Sequence, residues 1–272
     1  MMQFGLMIIG DEILNGSRQD CHFLFFKQLL RQYALQIAWV QYLPDDRGVI
    51  TQRLKQSFKE KKPVFVTGGI GATPDDHTRQ ACADALNLPL VPHPEAIKFI
   101  EDISIKHGDA LSSSNHLHRA QMAYFPENST IIPNPFNNIA AFSNQQHHFL
   151  PGFPQMAHPM AKWVLNTYYQ QYFNQQQYCF KAAVVDGLPE SVVGPLMEDI
   201  EKQWPDIKTY SLPTIREDIA ETEQNQHYRL EFGLKASRKN ATVLAQVWAY
   251  ALQQLQAHGA MHIIQLERSS EE

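Results

Sequence analysis

The sequence predicts an α/β domain with a parallel sheet, followed by a smaller α+β domain. Short apolar segments alternate with amphipathic helical segments over residues 4–173, which is the pattern of consecutive βαβ units. A glutamine-rich stretch at 174–177 then precedes a string of the form βαββα. We therefore predict domains at 1–172 and 178–272.

The larger domain opens with a continuous apolar run at residues 4–9, typical of a strand buried on both faces. Apolar residues at helical spacing follow Asp20, which we predict to cap that helix. Residues 109–125 have mixed polarity and give no assignment. The remaining elements are predicted as strand 36–43, helix 49–61, strand 63–69, helix 75–87, helix 94–108, strands leading into turns at 130–136 and 147–154, and helix 158–173.

The smaller domain begins with an apolar strand and a Gly-Leu-Pro-Glu turn at 187–190. Its length of about 95 residues suits an independent small domain. The predicted elements are strand 178–186, helix 191–204, strands 207–214 and 227–237, and helix 240–259.

Charge and composition exclude several functional classes. The net charge is −5 and no long run of Lys or Arg occurs, which disfavours general attraction to nucleic acid or anionic membranes. Three widely spaced cysteines match neither a metal site nor a disulfide framework, so we expect a reducing cytoplasm. The apolar start lacks a basic leader and reads as a strand, and no segment reaches the roughly 18 apolar residues of a membrane span.

The stretch TGGIGATPDD at residues 67–76 is the first candidate site. Glycines let backbone amides approach a ligand, and a helix N-terminus favours anions. Pro74 suits the first helical turn, which would place Asp75 or Asp76 just inside the helix. The spacing fits two interpretations equally: an anion site, or a chain turn with a helix cap. The loop lacks the GK[ST] and GxGxxG patterns, which excludes a P-loop NTPase and leaves a dinucleotide fold without support.

Two further groups follow predicted strands. Gly10, Asp11 and Glu12 could hold Mg²⁺ against a phosphate, although helix capping is the simpler interpretation of these residues alone. The turns at 133–138 and 150–154 are suited to line a pocket with amides. In parallel sheets ligands bind beyond the carboxyl ends of the strands, where these groups are expected. The paired histidines lack the partners and spacing of a zinc site.

Four motifs carry a resemblance to a known family. They lie in order along residues 3–170 and read IIGDEILNG, VTGGIGATPDDHT, IPNPFNNIAAF and LPGFPQM. Together they resemble the molybdopterin-binding MoaB/Mog-like fold, and in particular the amino-terminal domain of the CinA family of competence/damage-inducible proteins. The second domain resembles the KH-like domain of that family. Since the sequence ends at residue 272, the family's carboxy-terminal deamidase domain is expected to be absent. Residues 178–272 show no GxxG clamp between two helices with basic flanks, so RNA binding is not expected.

The resemblance implies a three-layer α/β/α domain that binds a phosphorylated pterin or nucleotide. It also implies metal-dependent cleavage of ADP-ribose, with Mg²⁺, Mn²⁺ or Co²⁺ and no organic cofactor, in a homodimer. The implied catalytic residues are Asp75, Asp76 and Asp11, and the implied metal ligands are Asp76 and Asp11. The implied substrate-binding residues are Gly10, Glu12, Thr67, Gly68, Gly69, Gly71, Thr73, Asn134, Asn137 and Gly152.

The chain departs from the family pattern on one side of this site. Residues 136–142 read FNNIAAF where the family usually has VGTAPGF, so two glycines and a threonine are missing. Met156 replaces the acid of LPG-x-P-x-E, and His22 replaces an expected Asn. The leading hypothesis is an ADP-ribose hydrolase. The alternatives are a non-catalytic pterin- or nucleotide-binding sensor or carrier and, more weakly, an enzyme of molybdenum-cofactor biosynthesis.

Overall fold

The computed structural model describes residues 2–175, 178–215 and 228–266. The chain divides into two compact units, Met1–Gln175 and Gln176–Glu272. Residues 176 and 177 of the predicted linker lie outside the described residues, as does residue 227 at the start of a predicted strand. No helix in the described ranges has the length and apolar character needed to cross a membrane.

The first unit is an α/β domain around a six-stranded sheet with strand order β2-β1-β3-β8-β7-β6. Helix α2 packs against α7, and α3 packs against α4. The elements are β1 (Gln3–Ile9), α1 (Asp11–Leu14), α2 (His22–Gln32), β2 (Gln36–Leu43), α3 (Arg47–Glu60), β3 (Val64–Thr67), α4 (Thr78–Leu86), β4 (Leu90–Pro92), α5 (Pro94–Lys106), α6 (Ser114–Ala120), β5 (Tyr124–Pro126), β6 (Thr130–Ile132), β7 (Ala141–Asn144), β8 (His147–Leu150) and α7 (Pro154–Tyr168).

Strands β2, β1, β3 and β8 run parallel, β7 is antiparallel to β8, and β6 is antiparallel to β7. The predicted mostly parallel sheet is therefore confirmed. Every strand except β7 ends at the same edge of this sheet. The loops that carry the predicted site residues consequently emerge side by side, as ligand sites in such sheets require.

The sheet is held by a buried core that is rich in aromatic side chains. Strands β1 and β3 are almost wholly buried, as their continuous apolar sequences predict. The rings of Phe125, Phe142 and Phe149 stack in a row, with centroids 4.8 Å and 4.4 Å apart. Asp20 caps α2, because its carboxylate accepts hydrogen bonds from the amides of His22 and Phe23.

Two adjacent histidines lie inside this core. His147 contacts the Ser57 hydroxyl through Nε2 at 2.8 Å, and its Nδ1 lies 3.2 Å from a main-chain carbonyl. His148 lies between the hydroxyls of Ser143 and Tyr169, at 2.7 Å and 2.8 Å. Their ring nitrogens are thus paired with protein groups, which explains how polar rings are tolerated in β8. They are structural residues.

The unassigned stretch 109–125 contains α6, a short 3-10 helix at Gln121–Ala123 and the first residues of β5. Strand β5 pairs with β4 in a separate two-stranded sheet. Sequence periodicity missed β4 and β5 because each has three residues, too few for a repeating pattern.

The second unit has the predicted βαββα order with one additional strand. Its elements are β9 (Tyr178–Asp186), α8 (Glu190–Gln203), β10 (Lys208–Ile215), β11 (Tyr228–Ser237), α9 (Ala241–Ala257) and β12 (His262–Leu266). The strands form an antiparallel sheet in the order β10-β11-β9-β12. Val185, Phe232 and Leu255 belong to its separate hydrophobic core. Strand β12 was missed because most of its residues are exposed, so it lacks the buried apolar run that marks β1 and β3.

Candidate functional site

The loops after β1, β3 and β8 meet at Gly68. Its φ is +99°, and a Cβ there would lie 2.1 Å from the carbonyl oxygen of Ile9. A Cβ on Gly152 would lie 3.5 Å from the Cα of Gly68. The amide of Gly68 donates to the Leu150 carbonyl at 3.0 Å, which extends the pairing of β3 with β8. Only glycine fits at position 68 without moving the backbone.

The loop between β3 and α4 is closed by Asp76. Its Oδ2 accepts hydrogen bonds from the amide and the hydroxyl of Thr73, at 2.8 Å and 2.5 Å. A Cβ on Gly71 would lie 2.5 Å from the same oxygen, so the glycine makes room for the carboxylate. Helix α4 begins at Thr78, and the prediction that Asp75 or Asp76 lies inside its first turn is therefore wrong. The loop turns back on itself before the helix begins because Asp76 bonds to Thr73.

Thr78 joins the loop to the helix. Its hydroxyl donates to the carbonyl of Gly68, and its amide donates to the carbonyl of Gly69, both at 2.9 Å. Gly69 has φ +66°, and a Cβ there would lie 2.4 Å from the Thr78 hydroxyl. Thr67, which precedes the loop, is buried at the end of β3. These contacts fix the path of the glycine loop, residues 67–76.

Within the residues that the structure describes, the amides of Gly69, Ile70, Gly71 and Ala72 have no hydrogen-bond acceptor. The amides of Gly68 and Thr73 are engaged inside the protein. The glycine loop thus presents four adjacent donors in the connection that leads into α4, a nine-residue helix. Such unpaired amides bind anions, and the helix dipole adds to the attraction.

Carboxylates surround the neighbouring strand ends. The amide of Asp11 donates to Asp45 Oδ2 at 2.8 Å, and the amide of Asp45 donates to Asp11 Oδ1 at 3.3 Å. Burial, together with the negative charges of Asp11, Glu12 and Asp75, raises the pKa of Asp45. The charge of Asp75 therefore reaches Asp45, which follows β2. Glu12 is half-exposed, and its Oε1 lies 3.6 Å from Nη1 of Arg18.

The Thr73 hydroxyl, the backbone amide of Asp75 and nearby His77 hold the pKa of Asp75 below its usual range. Asp75 is exposed and Asp76 is half-buried. Asp75 is therefore the carboxylate of the pair that solvent and a ligand reach more freely.

The wall formed by residues 133–138 is bonded to itself. Asn134 is 3% exposed, and its Nδ2 donates to Asn137 Oδ1 at 2.8 Å and to the Ile139 carbonyl at 3.1 Å. Asn137 Nδ2 donates to Met156 Sδ at 3.3 Å. The two amide side chains proposed to bind substrate are thus occupied in shaping the loop. Their assignment as substrate-binding residues stays a prediction.

His22 holds the loop after β8. Its Nε2 donates to the carbonyl of Gly152 at 3.0 Å, while burial lowers its pKa and favours the neutral ring. The residue that stands where the family has Asn thus makes a structural contact with the site.

Sequence reasoning missed three residues of this region: Asp45, Thr78 and Arg79. Asp45 follows β2 just as Asp11 follows β1, so the rule that strand ends carry site residues would have found it. Arg79 carries no such signal, because its role depends on contacts with residues 121 and 124.

The comparison with protein-family models shows which family the chain belongs to. A model described as a probable molybdopterin binding domain matches residues 5–171. The chain belongs to the molybdopterin-binding domain family. The matched range covers the sheet, the glycine loop and the carboxylates that follow β1 and β2, so the family is shared by the part of the chain that forms the site.

Individual relatives of the molybdopterin-binding domain have CinA-type names. A putative competence-damage inducible protein of Clostridium tetani is 30% identical over 207 residues, covering 74% of this chain and 49% of the relative. A CinA-like protein of Desulforapulum autotrophicum is 28% identical over 218 residues, covering 76% and 50%. The chain spans about half the length of the curated relatives it matches. The crystal structure of CinA from Thermoplasma acidophilum superposes with a TM-score of 0.53 at 23% identity, covering 60% of this chain and 96% of that chain, which supports the fold.

Proposed function

We propose that this molybdopterin-binding domain protein is a metal-dependent hydrolase of a nucleotide diphosphate that acts in the cytoplasm as a homodimer. ADP-ribose is the proposed substrate, with AMP and ribose 5-phosphate as products. One observation carries the proposal: the four open amides of residues 69–72 lie at the same sheet edge as the carboxylates of Asp11 and Asp45. A bound pyrophosphate needs hydrogen-bond donors on one side. Its metal-dependent hydrolysis also needs carboxylates on another side.

The glycine loop would bind the pyrophosphate. Amides fixed in advance stabilise negative charge that develops on phosphoryl oxygens, and they need no reorganisation during the reaction. The N-terminus of α4 adds a partial positive charge at the same place. Asp75 stays ionised, since its pKa is held low by Thr73 and His77, and it can orient an attacking water.

The carboxylates fit a hydrated Mg²⁺ ion. Within the described ranges no group of three or more His, Cys, Asp or Glu side chains is arranged to hold a metal. Mg²⁺ requires only one or two carboxylates, together with waters and substrate phosphate oxygens. Asp11 and Asp76 would hold Mg²⁺, Mn²⁺ or Co²⁺. When bound, the ion would neutralise phosphate charge and lower the pKa of a water. Burial and, after it, the charges of neighbouring carboxylates raise the pKa of Asp45, and a cation would relieve the repulsion among these carboxylates.

The test is turnover of ADP-ribose by the purified protein with each of the three metals, followed as release of AMP. We expect Asp76→Asn to lower kcat about a hundredfold or more, because it removes the charge while the amide oxygen can still accept from Thr73. Asp102→Asn, on the exposed side of α5, is the matched control and should leave kcat unchanged. Absence of turnover with all three metals would refute the hydrolase.

A second candidate is a non-catalytic protein that binds a nucleotide or pterin for sensing or carriage. It is favoured by the contact between Asn137 and Met156, since the family's acid is missing there and the wall is bonded to itself. For this candidate we expect ADP-ribose to bind without turnover.

Restoring the acid distinguishes a binding protein that lacks turnover because this acid is missing from one that lacks it for another reason. Met156→Glu is expected to raise turnover about tenfold or more, because a carboxylate can act as a general base or metal ligand there. Met156→Gln has nearly the same size without the charge and should raise nothing. Equal rates of ADP-ribose turnover for Met156→Glu and Met156→Gln would show that the missing acid is not the cause of the absent turnover.

A further inference from the structure

Three carbonyls of the glycine loop are fixed by the first two residues of α4. Thr78 donates to the carbonyls of Gly68 and Gly69, both at 2.9 Å. The Nη2 of Arg79 donates to the carbonyl of Gly71 at 2.5 Å. These carbonyls therefore point toward the start of the helix.

The direction of a carbonyl determines that of the next amide. The chain has no cis peptide bond, and in a trans peptide the C=O and the following N–H point in opposite directions. The amides of Gly69, Ile70 and Ala72 consequently point away from Thr78 and Arg79. They are three of the four amides without an acceptor among the described residues. The side chains of Thr78 and Arg79 therefore set the direction of these donors. We call the side of the loop that faces away from these two side chains its outer side.

Arg79 also places a buried positive charge behind these donors. It is 3% exposed, and its other contacts are the carbonyls of Gln121 and Tyr124. No carboxylate lies within ion-pair distance of its guanidinium in the described part of the chain, and its Nε is buried without a partner. Arginine is almost never buried unless paired, because an unpaired buried charge is costly.

The position of Arg79 adds to this cost, since it lies in the first turn of α4, where the helix dipole is already positive. Asp76, the negative charge that acts on Arg79, already accepts two hydrogen bonds from Thr73. Asp76 offsets part of the Arg79 charge, and the guanidinium remains a buried positive group behind the open amides.

We propose that Thr78 and Arg79 are the positioning residues of a diphosphate-binding site on the outer side of the glycine loop. Thr78 orients the amides of Gly69 and Ile70. Arg79 orients the amide of Ala72 and supplies the charge that attracts the anion. The identity of the ligand as a nucleotide diphosphate rests on the proposed function, but the site itself is tested with inorganic pyrophosphate.

The experiment is calorimetric titration of the full chain with pyrophosphate in the absence of metal. Arg79→Met removes the charge and the guanidinium donors to the three carbonyls, and we expect binding to weaken about tenfold to a hundredfold. Arg79→Lys keeps the charge without the planar fork and should recover part of that loss. Thr78→Val removes the hydroxyl and is expected to weaken binding, whereas Thr78→Ser retains it and should bind like the unchanged protein.

Variant folding is checked by far-UV circular dichroism. If Arg79→Met does not fold, the amide ¹H–¹⁵N signals of the unchanged protein keep the proposal testable. Pyrophosphate should then shift the signals of Gly69, Ile70 and Ala72 more than those of Gly68 and Thr73. Equal affinity of folded Arg79→Met and the unchanged protein, or no shift at the three amides, would overturn the proposal. ADP-ribose turnover, measured separately, decides the proposed function, so the two can fail independently.

Discussion

Gly68→Ala is expected to lower the free energy of unfolding by about 3 kcal/mol or more. An alanine there must adopt φ near +99°, and its Cβ would lie 2.1 Å from the carbonyl oxygen of Ile9. That oxygen belongs to the backbone of the buried strand β1, so it cannot move aside without disturbing the sheet. Urea denaturation followed by near-UV circular dichroism measures the loss.

Two other glycines of the same chain separate the two causes of this loss, which are backbone strain and the steric clash of the Cβ. Gly16 has φ +78° with nothing within 4 Å of a built Cβ, so Gly16→Ala isolates the backbone strain and should cost about 1–2 kcal/mol. Gly152→Ala would bring a Cβ to 3.5 Å from Gly68, an ordinary contact, and should be nearly neutral. A Gly68→Ala loss no larger than that of Gly16→Ala would contradict the close approach of β3 to β1.

The buried histidines are expected to make the protein sensitive to acid, by about 4 kcal/mol between pH 7 and pH 5. Burial lowers the pKa of His147 to about 4 and that of His148 to about 3. In the unfolded chain both titrate near 6.5. Unfolding therefore takes up protons below pH 6.5, and the stability present above that pH is lost as the pH falls toward the folded values.

Each histidine contributes about half of this loss, since 1.5 pH units below 6.5 correspond to about 2 kcal/mol. His148→Gln removes one titrating group and should flatten the dependence of the unfolding free energy on pH by that amount. The exposed His118 gives the control, because His118→Gln removes a histidine outside the core. The same slope in His148→Gln and the unchanged protein would show that His148 does not cause the acid sensitivity.

The longer elements could be predicted because their hydrophobic patterns are local. The buried strands β1 and β3 and the amphipathic helices α2 and α5 repeat over enough residues to be recognised. Strands β4 and β5 have only three residues each and β12 is mostly exposed, so the pairing partners of these strands decide them. The start of α4 was misplaced because the bond between Asp76 and Thr73 competes with the helix.

The candidate site, like the secondary structure, could be predicted from the sequence only in part. The rule that ligands bind at strand ends located Asp11 and the glycine loop from sequence alone. It could not show that Asn137 bonds to Met156, 19 residues away, and so turns its side chain into the wall. That contact depends on how β6 and α7 approach each other, which a local pattern does not contain.

By itself, the sequence determined the alternation of strands and helices, the parallel sheet and the position of a glycine loop at a strand end. Only the tertiary structure decided which amides of that loop remain open. The reason is physical: whether a donor is available depends on the partners of its neighbours. Here those partners are Thr78 and Arg79, and Arg79 is in turn held by carbonyls more than 40 residues away along the chain.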